Sequence, residues 1–170
     1  MEKKYILTDD VIDFDGHTLH RIKAVRDFDC VKAGDLGGFI ESEKNLDHDG
    51  AAWVTGDARV TDSARVSGDA RVTGDALVTD FARVFDAARV TGDAVVSGDA
   101  DFAVISGFGR VFRPTTFFRC KDNLVRCQCG CFYGTVDEFR SKVRETHGNS
   151  KYAKEYLMIA DLMELHFKED

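Results

Sequence analysis

The chain has 170 residues, 44 % of them hydrophobic and 31 % charged, with 30 acidic against 23 basic residues and a formal net charge of −7. This length suits one well-buried domain, or a repeat core with a small appendage, and excludes two large domains. The negative balance disfavours whole-surface attraction to DNA, RNA or anionic membrane, so direct nucleic-acid binding is not expected, although a local basic stripe stays open.

The opening stretch MEKKYILTDDVIDF contains no apolar run resembling a secretion signal. No segment approaches the roughly 18 to 20 uninterrupted apolar residues of a membrane span. A soluble cytoplasmic protein is expected, with reduced thiols, because five cysteines are an odd count for a disulfide framework. ILTDDVIDF, a turn at Asp15 and Gly16, and HTLHRIKAV read as a hairpin. Residues 1–50 are assigned to this hairpin and a cap, with Asp35 to Glu41 and Trp53 forming an irregular first coil that shields the open β-edge. His17 and His20 lie three apart on the hairpin without a third ligand in the sequence, so no metal is assigned.

From residue 54 the chain falls into hexads: VTGDAR, VTDSAR, VSGDAR, VTGDAL, VTDFAR, VFDAAR, VTGDAV, VSGDAD. Valine recurs without a break from Val54 to Val96 and alanine from Ala58 to Ala100, so these two columns are the inward ones. A strict period of six drifts off any helical face, which excludes an amphipathic helix. The pattern predicts a left-handed parallel β-helix over 51–107, in which three hexads, or 18 residues, complete one coil. Valine suits the extended strand, alanine keeps each corner small, and Gly-Asp suits the bends.

Positions 18 apart then lie above one another. Asp57, Asp75 and Asp93 form an acidic ladder, read either as a hard-cation site or as a solvated turn row. Arg65 lies above Arg83 and Arg71 above Arg89, giving two basic columns that either grip phosphate or carboxylate or pair with neighbouring aspartates. Leu77, Phe81 and Phe85 break the polar pattern within one coil, and Val95 stacks on Leu77. These apolar positions predict a cover, either the chain's own C-terminal helices or another subunit.

After Ala100 the repeat decays, and residues 108–134 read as a linker and second hairpin turning at Lys121 to Asn123. Cys127, Cys129 and Cys131 alternate there, too spread along a straight strand for one zinc ion, and Cys120 adds no paired knuckle. Residues 135–170 read as an αα-hairpin: a capping box from Thr135 to Glu138, a stop at His147-Gly148, and a second helix from Asn149 or Ser150 to about Phe167. Its apolar set, including Tyr156 and Met163, is wider than one face needs and suggests packing on both the prism and a partner.

The hexads resemble the hexapeptide-repeat family. With AGDLGGFIE (33–41) before them and GCFYGTVDEF (130–139) and KYAKEYL (151–157) after them, the layout resembles more closely the small hexapeptide-repeat proteins of phages and prophages. That resemblance implies a phage-related context and a host-cytoplasmic location, and no particular activity. Hexapeptide acyltransferases use a histidine base, and the carbonic anhydrase class uses three histidines; residues 49–146 here hold none. No enzyme and no cofactor are expected. The expected function is a non-catalytic binding protein of the phage accessory or anti-defence kind, acting on a host protein or nucleotide signal, as a homodimer or trimer. The alternatives are an acyltransferase-like enzyme and a structural, self-assembling protein.

Overall fold

The computed structural model describes residues 2–168. β1 (Tyr5–Phe14) and β2 (His17–Ala24) form an antiparallel hairpin whose turn residues Asp15 and Gly16 both take positive φ, 49° and 85°. Such turns follow the right-handed twist of the strands they join. β3 (Leu36–Ile40) runs antiparallel to β2 and then parallel to the first repeat strands, making the cap continuous with one face of the repeat.

Eight two-residue strands follow at six-residue intervals: β4 (Trp53–Val54), β5 (Arg59–Val60), β6 (Arg65–Val66), β7 (Arg71–Val72), β8 (Leu77–Val78), β9 (Arg83–Val84), β10 (Arg89–Val90) and β11 (Val95–Val96). Each strand pairs in parallel with the one 18 residues away: Arg59 with Leu77, Leu77 with Val95, Arg65 with Arg83, and Arg71 with Arg89. Three faces result, β5-β8-β11, β4-β7-β10 and β6-β9, and the chain is a mainly β protein built on a β-solenoid of about three turns. The amide of Thr55 donates to the carbonyl of Val72 at 2.9 Å and that of Thr73 to Val90 at 2.9 Å, so hydrogen bonds join coil to coil.

The hexad valines from Val54 to Val96 and alanines from Ala58 to Ala94 are all fully buried. Ala100 departs from the expected column: it is exposed, in a 3-10 turn over Asp99–Asp101 that ends the solenoid. In the first seven hexads the backbone explains why the third position is restricted to glycine or aspartate. Gly56, Asp62, Gly68, Gly74, Asp80, Asp86 and Gly92 all turn the corner with φ between 55° and 76°. Glycine takes this left-handed conformation freely, and aspartate tolerates it better than most residues.

The solenoid begins before the regular hexads, correcting the boundary at residue 50. Ile40 pairs with Val60 and Leu46 bridges to Val66, each 20 residues on, and both side chains are fully buried. Two extra residues between Leu46 and Val54 hide this first coil from the six-residue pattern. Gly38 seats the cap on it, since a Cβ there would lie 2.6 Å from the Ala58 carbonyl oxygen and 2.8 Å from Val54 Cγ1.

At the other end, the expected hairpin is part of a larger unit. β12 (Phe102–Ile105), β13 (Thr115–Arg119), β14 (Val125–Cys129) and β15 (Phe132–Thr135) form one antiparallel sheet in sequence order. The sheet is the middle layer of the molecule: Phe118 and Cys120 join the solenoid core, whereas Phe117 and Cys127 join a second core with the helices. Burial on both faces accounts for the unbroken buried run from Thr115 to Phe118.

α1 (Val136–His147) starts at the expected capping box, in which the Glu138 amide donates to Thr135 Oγ1 and the Thr135 amide donates to Glu138 Oε2 at 2.8 Å. α2 (Lys151–His166) is capped by Ser150, whose hydroxyl accepts from the Ala153 amide. α1 packs on β14 and β15, α2 packs on α1 and shares the core that holds Phe117 and Cys127, and the core they form contains none of the solenoid lapse, so the helical cover expected for Leu77, Phe81, Phe85 and Val95 is corrected. Phe81 is 80 % exposed; Phe85 leans edge-on against Phe102 at 6.0 Å; Leu77 and Val95 are half-buried neighbours in β8 and β11. Among the described residues no helix is long and apolar enough to cross a membrane.

Candidate functional site

The two arginine columns stack as the repeat predicts on different faces, and Arg71 and Arg89 together line a small groove of about 120 Å³ with Thr73, Thr91 and Gln128. Arg83 is held by Asp99, with Nε at 3.1 Å and Nη2 at 2.5 Å from Oδ2, and Arg71 pairs with Asp29 of the cap. The Arg89 amide donates to Thr116 Oγ1 at 2.9 Å, fixing β10 to β13, while Arg65 lies in a shallow groove beside Glu41 and Asp62. A guanidinium already forked on a carboxylate offers little to an incoming phosphate.

The aspartate ladder meets cations of the chain itself. Asp75 accepts from Lys121 at 2.7 Å and lies 3.2 Å from Arg59, and these partners, Lys121 first, hold its carboxyl below the ordinary range. Asp93 lies 3.8 Å from Arg126 and accepts from the Tyr133 hydroxyl at 3.3 Å. The ladder therefore anchors the C-terminal sheet to the solenoid corner, with Asp57 at its outer end. The cysteines divide between the two faces of that sheet: Cys120 faces the solenoid, where burial pushes its thiol up to about 11, and Cys127 faces the helices, where burial raises it further. Cys129 lies 3.1 Å from Thr115 Oγ1, and Cys131 is exposed in the following turn.

His17, Glu41 and Asp62, far apart in sequence, meet where the hairpin crosses the first coil. His17 Nδ1 lies 3.2 Å from Glu41 and Nε2 lies 3.6 Å from Asp62, so each ring nitrogen faces a carboxylate. The Glu41 hydrogen bond is the main cause that raises the His17 pKa, followed in the same direction by the charge of Asp62. Their ligand atoms lie within 4.8 Å of one another, and a protonated imidazolium bridging both carboxylates accounts for the arrangement without an ion. His20 instead faces the Thr8 carbonyl at 3.1 Å.

Hexad arithmetic does not reveal the best-formed pocket, a cavity of about 400 Å³ at the C-terminal end. Phe132, Phe139, Val143 and Tyr156 form its apolar floor, and Arg110, Arg113, Lys142 and His147 stand around it. The chain leaving the solenoid supplies the two arginines, held to α2 where the Gly109 amide donates to Glu155 Oε2 at 2.9 Å. The rings of Tyr156 and His147 lie with centroids 5.7 Å apart, tilted by 32°, and burial raises the Tyr156 pKa. No Asp or Glu lines this cavity, and Lys142 also reaches Glu145 at 2.9 Å outside it. The sequence signal was Arg110 and Arg113 three apart among Phe108, Val111 and Phe112, apolar residues that the fading repeat leaves exposed.

Together the repeat and its capping layers define a β-solenoid repeat protein. Within it, residues 64–80 match the family model for the YdcK beta solenoid repeat, a match to one of the coils. No curated protein matches the chain.

Proposed function

We propose that this is a non-catalytic binding protein that sequesters a small planar anion, a nucleotide, in the C-terminal pocket. One observation carries the reading: an aromatic floor with arginines at its edge and no carboxylate in its lining. Guanidinium forks match phosphate oxygens, and aromatic faces accept a base. The nucleotide-binding role expected of Arg65, Arg71, Arg83 and Arg89 moves in this reading to Arg110 and Arg113, which line the cavity.

The remaining features belong to the same proposal. The strict six-residue spacing of buried valines supports a left-handed hexapeptide solenoid, and the resemblance of the sequence layout to phage and prophage hexapeptide-repeat proteins supports an accessory, anti-defence role in a host cytoplasm. A second reading, a host protein as target, is favoured by the exposed Phe81 and the half-covered Phe85.

The test is to purify tagged protein from host cells, release bound material by heat and analyse it for nucleotides by mass spectrometry. Stoichiometric nucleotide from the wild type and none from Arg110→Ala/Arg113→Ala supports sequestration. Nucleotide equally retained by that variant contradicts the pocket assignment.

A further inference from the structure

We infer that α2 pairs with α2 of a second copy of this chain, antiparallel and about a two-fold axis. The notion of a partner-facing helix placed Tyr156 and Met163 at the interface, but both are buried with Ala153, Ile159 and Ala160 in the chain's own second core. The opposite side of α2 presents Met158, Leu162 and Leu165, which are 72 %, 54 % and 70 % exposed. Their spacing of four and three residues puts them on one helical stripe, continued toward the N-terminus by exposed Lys154 and Lys151. Single exposed apolar residues are ordinary on a surface; a stripe of three long ones marks a contact.

Charge selects the occupant. The first turns of the stripe carry Lys154 and Lys151, the latter 3.4 Å from Glu155 but still 82 % exposed, and its later turns are bordered by Asp161 and Glu164. Arg140 of α1 donates to Asp161 at 2.9 Å and to Glu164 at 2.5 Å, fixing the acidic half while leaving both carboxylates largely exposed. An antiparallel copy sets the lysines of one helix over the acidic turns of the other and opposes the helix dipoles; a parallel copy sets like charge on like. An isologous pairing of this kind closes at two subunits. It does not depend on ligand binding, because Lys142, His147 and Tyr156 face the pocket and not this stripe.

The test is sedimentation velocity of the full chain over a concentration series. A monomer–dimer equilibrium is expected, weakened about 100-fold by Leu162→Glu and, separately, by Met158→Glu, with circular dichroism unchanged and melting unchanged at the dilution where the wild type is monomeric, because both side chains are exposed in the monomer. Lys154→Glu is expected to weaken the dimer at low salt, and adding Asp161→Lys to restore it. A monomer at every concentration overturns the inference. So does a dimer indifferent to both glutamate variants, or one that Lys154→Glu tightens.

Discussion

Lys121, in the turn between β13 and β14, donates a 2.7 Å hydrogen bond to Asp75 on a corner of the solenoid. With Arg126 beside Asp93, this contact makes the acidic ladder a latch between the two layers. The folded pKa of Asp75 lies below its ordinary 3.8, so its contribution is present above about pH 4 and is lost as pH falls through the folded value. Asp75→Asn should flatten this acid limb of stability and cost about 0–1 kcal/mol near neutrality, as expected for a largely exposed pair. Urea denaturation at stepped pH measures both.

The clamp around His17 has the opposite sign. Its folded pKa is raised above the ordinary 6.5, so the stabilisation is full below 6.5 and is lost as pH rises through the folded value. Amide protection in β1 and β2, corrected for intrinsic base-catalysed exchange, should fall across that rise in the wild type, and His17→Gln should abolish the fall.

Gly38→Ala should destabilise the protein by about 1–3 kcal/mol, because the added carbon meets the backbone oxygen of Ala58, which cannot rotate away. Gly98→Ala is the matched control: nothing lies within 4 Å of the added carbon and its φ is −150°, so no comparable loss is expected. Chemical denaturation of the two variants side by side decides the point.

Within the solenoid, Val72 is stacked between Val54 and Val90, and Val72→Ala should cost about 2–3 kcal/mol through lost burial and an unfilled core. Phe81→Ser should stay within about 0.5 kcal/mol of the wild type, since the ring is mostly in water. A large loss at Phe81 in dilute protein would show that the ring is covered.

These contrasts follow how far the chain can be read before it is folded. The valine and alanine columns were legible because each inward side chain repeats at the spacing of the coil, and the Thr135–Glu138 capping box because its bonds are local. The first coil was legible only as an irregular one over Asp35 to Glu41, and Leu46 not at all, because two inserted residues break its register with Val54. The destination of the helices was hidden for another reason: the lapse at Phe81 and Phe85 announces exposed apolar surface without saying what covers it. Phe117 and Phe118, adjacent yet buried on opposite faces, instead mark the sheet that separates helices from solenoid. The pocket joins Arg110, Arg113, Lys142, His147 and Tyr156, a set that only the packed C-terminal layers assemble.

The most direct measurement of the central claim is calorimetric titration of the wild type and of Arg110→Ala/Arg113→Ala with a panel of linear and cyclic nucleotides, with inorganic phosphate and free nucleoside alongside. A nucleotide is expected to bind more tightly than either of its parts, and the double variant to lose at least about ten-fold in affinity, the loss of one charge-assisted contact or more. Binding of no nucleotide, or equal binding by the two proteins, would contradict the central claim.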